Sequence, residues 1–119
     1  MERVTGIGGF FFRSQNPDAL AQWYRDNLGI DLVPQNDQMS PWTQEAGVTA
    51  FAPFPQDTTY WPQDKQWKLN FRVRDLDAMV KQLRDRGIQV DVDPEVYPYG
   101  RFAKLKDPEA NPLELWEPR

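Results

Sequence analysis

The sequence predicts an α+β fold assembled from two βαβββ modules related by a pseudo-twofold axis. Three observations carry this. The chain repeats itself: Phe12-Arg13-Ser14-Gln15-Asn16-Pro17-Asp18-Ala19-Leu20 returns as Phe71-Arg72-Val73-Arg74-Asp75-Leu76-Asp77-Ala78-Met79, at an offset of 59 (71 − 12). Arg25-Asp26 returns as Arg84-Asp85 at the same offset. Each copy reads as a strand running into a capped helix, and each helix is followed by about three short strand-like stretches. A period near half the chain length means two similar modules rather than a solenoid. Such modules pack around a twofold and leave a cleft between them.

The first strand spans Val4 to Arg13, with Phe10 and Phe12 on one side and Phe11 and Arg13 on the other. Asn16 is placed to cap a helix, and Pro17 suits its first turn. Leu20, Trp23, Tyr24 and Leu28 recur at helical spacing, and Gly29 ends the helix. Ile30 to Val33 reads as a second strand, and Trp42 to Pro53 as two more, the last around Val48 to Ala52. Pro53 to Gln66 holds three prolines with Phe54, Tyr60 and Trp61, so neither a central strand nor a helix interior fits there. It reads as a long aromatic loop linking the modules. In the second module, Trp67, Leu69, Phe71 and Val73 alternate with Lys68, Asn70 and Arg72. Asp75 caps a helix whose buried stripe is Leu76, Met79, Val80 and Leu83, and Gly87 closes it. Ile88 to Val92 is a strand. Arg101 to Lys106 and Pro112 to Trp116 form a hairpin around a turn at Asp107 to Asn111, which Asp107 caps through backbone amides. Glu109 is expected to be exposed, and Glu117, of opposite parity to Glu114, to face the outer or helix side. The expected organisation is one domain over 1–119, with module one at about 1–55, the loop at about 53–66 and module two at about 67–119.

Composition excludes several classes of function. At 119 residues the chain can bury about two-thirds of its unfolded surface as one domain. Its net charge of −4, without a Lys/Arg run, argues against nucleic acid. The absence of Cys removes disulfides and thiol chemistry, and the absence of His removes the commonest general base and metal ligand. No apolar run approaches a membrane span, and no signal-peptide pattern opens the chain, so a soluble cytoplasmic protein is expected.

The chain resembles the vicinal oxygen chelate superfamily, which joins glyoxalases, bleomycin-resistance proteins and extradiol dioxygenases. Gly6-Ile7-Gly8-Gly9, Trp23-Tyr24-Arg25-Asp26-Asn27-Leu28-Gly29, Asn70 to Asp77 and the stretch from Asp107 to Pro118 carry the resemblance. It implies that the two modules curve their sheets into a half-open barrel with a central cavity. It also implies a homodimer, since many members pair two chains around each cavity. Ala110 departs from the family, which usually has glycine there. Alanine in a left-handed conformation would cost about 1–2 kcal/mol, unless the turn is of another type.

The same resemblance implies where a divalent metal would sit. Its four ligand positions fall on Gly9, on Lys68, near Ala50 and on Glu114, so one carboxylate remains. Catalytic sites of this kind need about three protein ligands, so no metal cofactor is expected. Waters and substrate oxygens could complete a hard-ion shell at Glu114 only weakly. Lys68 could instead bind an anion or enolate with Glu114 as proton acceptor, or the two could simply form a salt bridge. Arg13, Asn70 and Arg72 share that face by parity, and the two arginines could clamp an anion or merely cover the sheet. Phe11, Trp42, Tyr60, Trp61, Phe102 and Trp116 are the aromatic candidates for ligand contact, with Phe54, Tyr97 and Tyr99 beside them. The Tyr60-Trp61 loop could equally meet a second subunit.

The expected function is metal-independent binding of a small organic molecule in an aromatic cavity. The alternatives are a lyase or isomerase using Glu114 with Lys68 or a weakly held metal, and a dimeric accessory protein with a vestigial cavity.

Overall fold

The computed structural model describes residues 1–119. Two helices cover one face of a four-stranded open sheet. Helix α1 spans Pro17–Leu28, and Asn16 accepts a hydrogen bond from the Ala19 amide at its start. Gly29 ends it at φ 72°, returning its N–H to the carbonyls of Arg25 and Tyr24. Strand β1 (Leu69–Arg72) leads to helix α2 (Leu76–Asp85), capped by Asp75. Strands β2 (Asp91–Val92), β3 (Gly100–Lys106) and β4 (Pro112–Pro118) complete the sheet in the order β1-β4-β3-β2. The β1–β4 pair is parallel and the others are antiparallel.

Strand alternation divides the sheet into two faces. Leu113, Leu115, Ala103 and Leu105 join Leu20, Tyr24, Leu76, Val80, Leu83 and Val90 in one buried core beneath the helices. The other face carries two rows of side chains. Arg72, Trp116 and Phe102 are register partners in one row, and Asn70, Glu114, Lys104 and Asp91 in the next. No helix covers this second face.

The second half builds the expected βαβββ unit, whereas the first half contributes α1 alone. The segments expected as strands at 4–13, 30–33 and 42–53 enter no sheet. Val4 (90% exposed), Phe11 (92%) and Phe51 (85%) face solvent. The reason is a shortage of partners. The apolar stripe of α1 packs into the core of the second half, so no helix is left to cover a first-half sheet. Two or three uncovered strands are marginal in water. Phe10 and Phe12 instead pack edge-on against Trp67.

The β3–β4 turn ties the first half to the sheet. Asp107 is buried and accepts from the Glu109 and Asn111 amides, from the Asn111 side chain and from the Tyr24 hydroxyl. Glu109 is not free in solvent, as the sequence suggested. Its carboxylate accepts from the Ser14 hydroxyl (2.6 Å) and from the Gln15 and Asn16 amides, which lead into α1. Those bonds, the Ser14 hydroxyl first, hold its pKa below the ordinary 4.5. A depressed folded pKa contributes stability above pH 4.5 that disappears as pH falls through the folded value. Acid denaturation of Glu109→Gln should therefore lack part of the wild-type decline below that pH, and parallel profiles would contradict the assignment. Glu117 faces the helices, accepting from the Leu76 amide at the start of α2.

Ala110 occupies the left-handed region at φ 64°. Ala110→Gly should stabilise the protein by about 1 kcal/mol, read as a raised urea midpoint. An unchanged or lower midpoint would show that the turn tolerates alanine without strain.

Candidate functional site

The open sheet face brings most of the sequence candidates together. Lys68, one residue before β1, places its ammonium 3.3 Å from Glu114 Oε2 on the neighbouring strand. Asn70 Nδ2 donates to the other oxygen at 2.8 Å. Both carboxylate oxygens of Glu114 are thus engaged. Phe54, Tyr60 and Trp61 close over Lys68, with ring centroids 6.0, 5.8 and 5.7 Å from its nitrogen. The loop bearing them is held by its own bonds, from the Thr58 amide to the Pro55 carbonyl and from the Trp61 indole to the Lys65 carbonyl.

One row along, Trp116 and Phe102 lie parallel, 6.2 Å between centroids and 2° between planes. The Trp116 indole donates to the Tyr99 carbonyl at 2.9 Å, which fixes the ring. Gly100 makes this possible: a Cβ there would run into the Glu117 carbonyl and Trp116 Nε1, and its φ is 134°. Tyr99 and Tyr97 extend the aromatic surface, stacked 5.3 Å apart. The Tyr97 hydroxyl donates to Asp93, and this bond is the main cause of a pKa pushed up to about 12. It therefore remains a neutral donor at physiological pH. Arg72, beside Trp116, donates to the Glu45 backbone carbonyl at 3.1 Å, while the Glu45 carboxylate pairs with Arg74.

Three candidates lie elsewhere. Phe11 folds back over Gly9 and is exposed. Trp42 is exposed, in a first-half segment that joins no sheet. Arg13 lies with Ser14, Lys65 and Glu109 at the turn end of the sheet, whereas Arg72 pairs with Trp116 toward the opposite end of β4. The two arginines therefore form no clamp. Sequence patterning assigns no role to Lys104, which stands opposite Glu114, nor to Asp93, which orients Tyr97. Period-two parity from Phe102 could have found Lys104.

The family's divalent metal does not fit these residues. Gly9 and Ala50 supply no side-chain donor, and an ammonium occupies the side of Glu114 that a cation would approach. No three His, Cys, Asp or Glu residues come together anywhere in the chain.

A family model described as a glyoxalase-like domain matches residues 9–116. The chain belongs to the glyoxalase-like family. Within the wider glyoxalase and bleomycin-resistance superfamily it is similar to TnmS3, an antibiotic binding protein from Streptomyces sp. CB03234. That likeness has 27% identity, covers 100% of each chain and reaches a TM-score of 0.66. It is also similar to a glyoxalase/bleomycin resistance protein from the same Streptomyces, at 25% identity over 87% of this chain and 92% of that one, TM-score 0.53. A lactoylglutathione lyase from Agrobacterium tumefaciens shares the fold at 17% identity, covering 98% of this chain and 96% of that one, TM-score 0.62. No curated protein sequence matches. Because glyoxalase-like folds host both lyases and binders, the fold alone does not choose between them.

Proposed function

We propose that this protein binds a small, flat organic molecule on the open sheet face without a metal and without chemistry. The observation that carries this reading is the parallel Phe102–Trp116 pair, fixed by the Tyr99 carbonyl and Gly100 beside Arg72. Aligned rings suit stacking on a planar ligand, and the adjacent polar groups can orient it. The likeness to an antibiotic binding protein supports a sequestering role. A lyase or isomerase would need Glu114 to accept a proton, yet Lys68 and Asn70 already hold its two oxygens.

The test is a fluorescence titration with 9-aminoacridine, 2-naphthol and naphthalene-2-sulfonate, a cationic, a neutral and an anionic flat probe. At least one should saturate with a 1:1 stoichiometry. Failure of all three would remove the reading.

The second part of the proposal is a homodimer in which a second copy supplies partners for the first-half strands, completing two βαβββ modules and the half-open barrel. Apolar residues left in solvent at Val4, Ile7, Val48 and Phe51 support it. Light scattering should give twice the 13.9 kDa chain mass; a monomer at micromolar concentration would contradict it.

A further inference from the structure

The geometry points to a cation-recognition subsite at Glu114, walled by Phe54, Tyr60 and Trp61, in which Lys68 is a tethered occupant that an alkylammonium group of a ligand displaces. This rests on the proposed binding role of the face and names the charge of what it takes.

The argument starts from what surrounds the Lys68 nitrogen. Three rings approach it within about 6 Å, and Glu114 holds it at 3.3 Å. Phe54 meets Tyr60 and Trp61 edge-on, at 5.7 and 5.1 Å, so the three rings form one wall. Aromatic faces attract ammonium groups, and do so more strongly when the cation is shielded from water. Here the Lys68 and Glu114 side chains are only 14% and 13% exposed. A wall of rings beside a carboxylate is the arrangement that selects an organic ammonium over a hydrated inorganic ion. Asn70 keeps a donor on Glu114 while the cation changes, so the carboxylate is never left unpaired.

Displacement costs little in contacts, because the incoming ammonium inherits the partners that Lys68 leaves. Tyr60 is exposed, so the wall opens to solvent on that side. Glu114 and Trp116 are two residues apart on one strand face, about 7 Å. A flat ring stacked on Trp116 can therefore carry an amine arm into the subsite. The predicted ligand class is a planar aromatic molecule with an alkylammonium substituent.

The test refills the space that Lys68 vacates. In Lys68→Ala, n-propylammonium replaces the missing side chain. Isothermal titration should give a Kd about tenfold lower than for wild type. That gain should vanish in Lys68→Ala/Trp61→Ala, and n-propanol should not bind. Equal affinity in folded Lys68→Ala and wild type, or a gain that survives loss of Trp61, would overturn the inference. A second readout covers the case in which Lys68→Ala does not fold. In the wild type, ring currents should move the Lys68 ε-methylene resonances upfield, and n-propylammonium should return them toward ordinary lysine values. Resonances unmoved at the highest concentration would overturn it. If 2-naphthol and 2-(naphthalen-2-yl)ethylammonium bind equally well, the face binds aromatic molecules but this subsite does not act in recognition.

Discussion

Asp107→Ala should destabilise the protein by about 4 kcal/mol. Asp107 is 4% exposed, and its two oxygens accept four hydrogen bonds. Bonds to a charged acceptor contribute about 1.5–3 kcal/mol each, and orphaned buried donors cost about 1–3 kcal/mol, without adding in full. Three of these bonds shape the turn that holds Ala110 in its left-handed conformation. The fourth ties α1 to the sheet through Tyr24. Burial and the Asp107 bond push the Tyr24 hydroxyl pKa well above the ordinary tyrosine value. Tyr24→Phe removes one donor and should cost less, about 1–2 kcal/mol. Urea denaturation followed by tryptophan fluorescence checks both. A loss under about 1 kcal/mol for Asp107→Ala would mean that the turn does not organise the two halves.

The second large effect is on binding. Trp116→Ala should weaken the best flat aromatic probe by about thirtyfold, the scale of a buried aromatic anchor. Trp116 presents an indole face aligned with Phe102 and locked by the Tyr99 carbonyl. Removing it deletes both the stacking surface and the partner that keeps Phe102 parallel. Trp42→Ala and Phe11→Ala, in first-half segments that join no sheet, should leave affinity within about twofold, the usual range for surface positions away from a site. Equal losses at Trp42 and Trp116 would place the ligand in the first half instead. Gly100→Ala should resemble Trp116→Ala in affinity, because its Cβ would collide with the indole nitrogen.

Local chemistry made part of this architecture legible in the sequence. Asn16 and Asp75 announce their helices because a short acceptor side chain before an amphipathic stripe can bond the free amides of the first turn. The final hairpin is legible because Asp107 and Asn111 bracket a short turn between alternating strands. Lys68 and Glu114 follow from the ligand positions that the family resemblance implies, and Asn70 from strand parity. What failed was non-local. Whether Val4 to Arg13 finds a partner depends on where α1 packs, and no residue in that segment encodes this. The bonds from Glu109 to the segment before α1 were missed for the same reason, with Ser14 to Asn16 the only local hint. The closing of Phe54, Tyr60 and Trp61 on Lys68 depends on the path of a proline-rich loop, which composition does not set.

The central claim is metal-independent binding on the open face. It is tested most directly by titrating the best-binding flat probe into the protein before and after exhaustive chelation, with elemental analysis of both samples. The account predicts the same Kd in both and no stoichiometric metal in either. One divalent metal per chain before chelation, with binding lost after its removal, would contradict it.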